Sequence, residues 1–146
     1  MIGPLLAYTI TLPLGTLVAG SDARGVFLPQ TMPDGFVRET AMPLVLRPRE
    51  FIANARDLVT LKQALAVQAP RYGTITAPLT IITGDADKTV STNIHSRQLA
   101  AAVPNAKLMV LPGVGHMVQH AVPDLVTSEI ETMVGAMQAR TAAATR

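Results

Sequence analysis

LTIITGDADKTVSTNIHSRQLAAAVPNAKLMVLPGVGH, residues 79–116, is the stretch that decides the fold of this chain. It opens on Leu79-Thr80-Ile81-Ile82-Thr83, a β-branched, charge-free run behind Pro78. Such a run reads as a short strand buried on both faces, the kind that parallel sheets contain. Gly84-Asp85-Ala86-Asp87 reads as a turn just past the strand's carboxyl end. Ser91 or Thr92 can cap a helix running to about Val103, and Pro104-Asn105 stops it. Lys107-Leu108-Met109-Val110-Leu111 is a second strand, and Pro112-Gly113-Val114-Gly115-His116 is the loop behind it. Two strands joined through a helix predict a parallel pair with a right-handed crossover. The fold class is therefore α/β.

In sheets of this kind, ligand chemistry gathers at the carboxyl ends of the strands. The two loops at those ends carry Asp85 and Asp87 on one side and His116 on the other. Each residue alone is ordinary: an Asp after a strand is a turn former, and a loop His is usually structural or exposed. Neighbouring parallel strands bring both loops to one edge of the sheet, and that makes the pair informative. A carboxylate there can accept a hydrogen bond from one imidazole nitrogen. The bond fixes the tautomer and stabilises the imidazolium formed when the other nitrogen takes a proton. Gly113 and Gly115 let the histidine loop turn tightly, and Gly115 leaves room beside the ring.

At this point the sequence resembles the α/β-hydrolase-fold family. GDADKTVS (84–91) followed by AVPNAKLMVLPGVGHM (102–117) looks like the C-terminal third of such an enzyme. The family's acid sits in a G-x-x-D-x-x-V loop, matched by Gly84, Asp87 and Val90. Its histidine follows a glycine-bearing loop after the last strand, matched by Gly113, Gly115 and His116. The family's order of nucleophile, acid and histidine is kept for the last two. The resemblance covers residues 75–126 most specifically. Residues 1–74 resemble the helical cap that the family inserts before the acid strand, and the nearest flavour is the haloperoxidase, esterase and epoxide-hydrolase branch. It implies a catalytic role for Asp87 and His116, with Asp85 the competitor for the acid. It also implies a hydrolase of ester-type or related bonds, a small apolar or ester-like substrate, and no cofactor or metal. His95 reads as a surface or packing residue, and His120, four residues past His116, does not share its role.

The nucleophile of such a site is missing from these residues. The serines are Ser21, Ser91, Ser96 and Ser128, and none lies in a G-x-S-x-G elbow. No His-Gly-Gly-Gly segment supplies an oxyanion loop. An aspartate nucleophile would need the same elbow. The resemblance therefore implies a chain that begins inside the cap, carries the acid and histidine, and is inactive alone. Two parallel strands by themselves are marginal, so poor solubility or self-association through unpaired strands is expected. The alternative is a non-catalytic remnant acting as a binding or assembly module.

Outside the decisive stretch, residues 2–20 carry no charge, a length near that of a bilayer span. Pro4, Pro13, Gly3 and Gly15 punctuate the run, and it lacks the basic start of a signal peptide. It reads as one or two buried helical turns broken near Pro13, with a cytoplasmic chain as the expectation. Residues 21–48, rich in Pro and Gly, predict a loop-rich connector with short helical turns. Residues 49–69 predict a helix packed on Phe51, Ile52, Ala55, Leu58, Val59, Leu61, Leu65 and Ala66. Pro123 opens a final helix with Leu125, Val126, Ile130, Met133, Val134 and Met137 as its stripe. The expected domains are a cap region (1–74), the C-terminal part of the α/β core (75–138) and a disordered tail (139–146).

Composition narrows the classes further. The 146 residues are 49% hydrophobic, 15% charged and 3% aromatic, which excludes a charge-rich disordered chain. With no cysteine there is no disulfide scaffold and no cysteine metal or redox site. The absence of Trp and scarcity of rings argue against a stacking platform for single strands. Net charge is +2, and the basic residues Arg47, Arg49 and Arg56 alternate with Pro48, Glu50 and Asp57, so no nucleic-acid footprint is expected.

Overall fold

A computed structural model of the chain describes residue 9 and residues 12–144. The expected helical turns before Leu12 lie almost wholly outside the described residues. The chain divides into two compact units, Met1–Arg71 and Tyr72–Arg146. The first is helical and the second holds two parallel strands, so the chain is a helical region followed by a small, incomplete α/β unit.

The first unit is α1 (Leu12–Phe27), α2 (Phe36–Glu39), a 3-10 segment (Met42–Leu46), α3 (Pro48–Gln68) and a second 3-10 segment beginning at Ala69. Pro13 stands at the start of α1, and the break expected near it falls at residues outside those described. It sits in the first turn, where no N–H is needed and its fixed φ suits the helix. The helix then runs to Phe27, seven residues into the zone expected to be irregular. Ala23 and Phe27, four apart and so on one face, are each 1% exposed. Phe36 meets Phe27 edge to face, with centroids 4.8 Å apart and planes at 79°. That ring pair is the core of this unit. Burying Phe27 stabilises it by about 2–3 kcal/mol.

Helix α3 falls within one residue of the predicted bounds at each end. Pro48 opens it, Glu50 complements its positive end, and it closes two residues before Pro70. Its expected packing is not observed: α3 has no buried residue, and Leu58 and Val59 are 70% and 82% exposed. Periodicity marks which residues could share a buried face. It does not supply the surface that would bury them.

The second unit is β1 (Leu79–Gly84), α4 (Ser96–Ala102), β2 (Ala106–Leu111), α5 (Val118–Ala121) and α6 (Pro123–Ala144). The strands pair in parallel, in register from Leu79 opposite Ala106 to Gly84 opposite Leu111. Their carboxyl ends are thus level, and the loops that follow emerge side by side. Burial on both faces was expected along each strand. Instead only Thr83 and Gly84 of β1 are buried, and β2 has no buried residue, because α4 and α5 cover this two-stranded sheet incompletely.

Three local expectations also change. Helix α4 starts at Ser96, later than a cap at Ser91 or Thr92 implies; residues 92–95 form a turn first. Ser91 Oγ still accepts the Ile94 N–H at 3.4 Å. Helix α6 continues to Ala144, through most of the expected tail, because Ala142-Ala143-Ala144 are the best helix formers available. Its stripe is half covered: Leu125, Val126 and Met133 are partly buried, while Ile130, Val134 and Met137 are exposed. Lys107 Nζ reaches both Glu129 oxygens at 2.7 Å, pinning α6 to β2.

Candidate functional site

The site lies where the two strands end. Gly84, the last residue of β1, is where the loops come closest. A Cβ built there would fall inside the carbonyl of Val114 and 2.9 Å from the Gly115 oxygen. Only glycine admits the histidine loop this near the strand. The strand end is also anchored beneath the loops. Thr92 Oγ1 donates to the Gly84 carbonyl at 2.7 Å and lies 2.9 Å from Thr83 Oγ1. A hydroxyl has one proton, so Thr83 is the donor of the second bond. This buried pair replaces the capping role expected of Thr92.

Asp87 follows three residues after Gly84. Its Oδ1 accepts the N–H groups of Thr89 and Val90, both at 2.8 Å. These bonds hold the carboxylate in its own turn and leave Oδ2 aimed elsewhere. Oδ2 lies 3.0 Å from His116 Nδ1. An ionised carboxylate only accepts, so Nδ1 carries the proton and the neutral ring keeps its lone pair on Nε2. Nε2 has no hydrogen-bond partner among the described residues. The Asp87 side chain is 7% exposed and the His116 side chain 33%. The carboxylate is shielded while the ring reaches solvent.

Burial is the largest influence on the Asp87 carboxyl and pushes its pKa up. The Val90 N–H, the His116 ring and the Thr89 N–H donate to it, and the charge of His116 adds to them. Together they outweigh burial and hold Asp87 below the ordinary aspartate value.

Asp85, the rival for the acid role, does not meet the ring. Its Oδ1 accepts the Gly113 N–H at 2.6 Å, across the two loops. Gly113 has φ +69°, the left-handed region that favours glycine. His95 precedes α4 and His120 lies in the last turn of α5, both exposed, and neither joins the Asp87–His116 pair. Sequence reading missed the Thr83–Thr92 anchor and the Asp85–Gly113 bond. No residue type announces either, since both depend on which loop lies opposite. Among the described residues, no three His, Asp or Glu side chains gather closely enough to hold a metal ion. No described helix is long and apolar enough to cross a membrane.

Fold and site define a mixed α/β chain with an oriented acid–histidine pair at the carboxyl ends of two parallel strands. The chain matches no family model, no curated protein and no solved structure.

Proposed function

We propose that residues 72–144 form the acid–histidine half of a serine-type or related hydrolase site. The observation that carries this is the 3.0 Å contact of His116 Nδ1 with Asp87 Oδ2, made by a half-exposed ring whose Nε2 is unengaged. In this reading His116 Nε2 takes the proton of an attacking hydroxyl. It then returns the proton to the leaving group, and activates water in the second half of the reaction. Asp87 orients the ring and stabilises its charged form. The substrate is ester-like and apolar.

The nucleophile comes from outside these 146 residues, since no G-x-S-x-G elbow occurs within them. The chain alone is then inactive. The test reads the coding DNA upstream of Met1. The expected result is an open frame carrying G-x-S-x-G, whose product hydrolyses p-nitrophenyl butyrate and loses at least about a thousandfold in rate on His116→Ala. An upstream region without that elbow overturns the reading, and so does burst hydrolysis by the 146-residue chain alone.

The exposure of Leu58, Val59 and Val67 along α3 favours a second reading, a non-catalytic assembly module. Light scattering separates the two. A stable oligomer whose state is unchanged by Asp87→Asn, in a chain with no upstream elbow, would favour assembly.

A further inference from the structure

Asp85 is the acidic group of the two loops that the Asp87–His116 pair leaves unused. Its bond to the Gly113 N–H, at 2.6 Å, has the short length of a charge-assisted hydrogen bond. With two backbone bonds it stitches the loops together beside the Asp87–His116 contact. The Asp85 N–H donates to the Leu111 carbonyl and the Ala86 N–H to the Val114 carbonyl, both at 3.0 Å. Residues 85 and 86 therefore grip residues 111, 113 and 114 in turn, as if the ladder continued past the strands. Asp87 is the next residue on one side of this seam. On the other side only Gly115 separates Val114 from His116.

Two of these bonds are backbone to backbone and do not involve the Asp85 side chain. The middle one depends on the Asp85 carboxylate. It acts on Gly113, whose left-handed φ sets the direction in which the loop leaves β2. A change there moves everything that follows, and the imidazole is three residues on.

We propose that Asp85 is a positioning residue for His116. By accepting the Gly113 N–H, it fixes where the histidine loop runs and so the separation at which Nδ1 meets Asp87. It touches neither member of the pair and acts only through the backbone. The proposal rests on the reading of Asp87 and His116 as a working pair. It differs from a turn-forming role for Asp85, which would alter stability without altering the ring.

The test is nitrogen-15 NMR of the His116 imidazole in the 146-residue chain, at a pH where the ring is neutral. The wild type is expected in the Nδ1–H form with a slowly exchanging ring proton. Asp85→Ala is expected to lose that proton signal and to shift the ring toward the Nε2–H form. Asp85→Asn, which keeps an acceptor oxygen without the charge, should retain the Nδ1–H form with faster proton exchange. Should Asp85→Ala fail to fold, the exchange rate in Asp85→Asn decides alone: faster supports the proposal, unchanged overturns it. If both Asp85 variants match the wild type while Asp87→Asn abolishes the signal, the pair stands and the proposal falls. A wild-type ring already in the Nε2–H form removes the pair and the proposal together.

Discussion

In residues 72–144 hydrogen bonds at 2.6–3.0 Å tie two loops together over a buried threonine pair. In residues 12–71 the closest packing is a ring pair, Phe27 on Phe36, and the longest helix there buries nothing. Both units are rich in aliphatic side chains, so composition does not separate them. The second has parallel strands that end level and throw two loops against each other. The first has helices whose apolar faces find few partners. A few directional bonds can thus define a site more sharply than a larger amount of unsatisfied apolar surface defines a core.

That contrast can be broken most forcefully at its apolar end. Phe27→Ala removes the one large side chain fully buried among the described residues of the first unit and should cost about 3–4 kcal/mol. Urea unfolding, followed through the Phe36 ring signals, measures it. A loss under about 1 kcal/mol would mean that the ring pair is not the core.

Gly84→Ala strikes the other unit where the loops come closest. Its methyl group meets the Val114 carbonyl, so the loop must retreat. The expected cost is about 2–3 kcal/mol, with loss of the His116 Nδ1–H signal. A variant that kept both stability and signal would show that the close approach is not what holds the loops.

A smaller effect comes with acid. The Asp87 pKa is lower folded than unfolded, so the folded state favours the ionised carboxylate. The resulting stability is present in full above the ordinary value of 3.8. It is lost as the pH falls through the lowered folded value. Unfolding curves between pH 2 and about 7 should show stability rising with pH at the acid end, with that slope reduced in Asp87→Asn. An identical slope in the variant would mean that other carboxylates carry it.

The smallest effect belongs to the exposed face of α3. Leu58→Lys, at a side chain 70% exposed, should change stability by no more than about 0.5 kcal/mol. If the exposed chain self-associates, the same change should shift its light-scattering mass toward the monomer. A larger loss of stability would show that Leu58 is covered in solution.

Much of this was legible in residues 79–116. The β-branched run, the Pro-Asn stop and the two turn segments predicted the strands and their parallel pairing. Asp87 over Asp85 was implied by the resemblance to the α/β-hydrolase acid loop, and the structure brings Asp87 rather than Asp85 to the ring. The reason glycine stands at 84 was not legible, because it lies in a carbonyl thirty residues away. The end of α1 was misread, because Gly25 and the prolines from Pro29 on suggested an irregular start at residue 21, whereas the helix carries on through Gly25 to Phe27.

By itself the sequence determined the order of elements, the parallel pair and the two loops that carry Asp87 and His116. These follow from local preferences and from periodicity, which act over a few residues. Tertiary structure decided which aspartate meets His116, which one ties the loops, and how little of α3 and β2 is covered. Those outcomes depend on which distant groups share a few ångströms, and no local pattern along the chain encodes that.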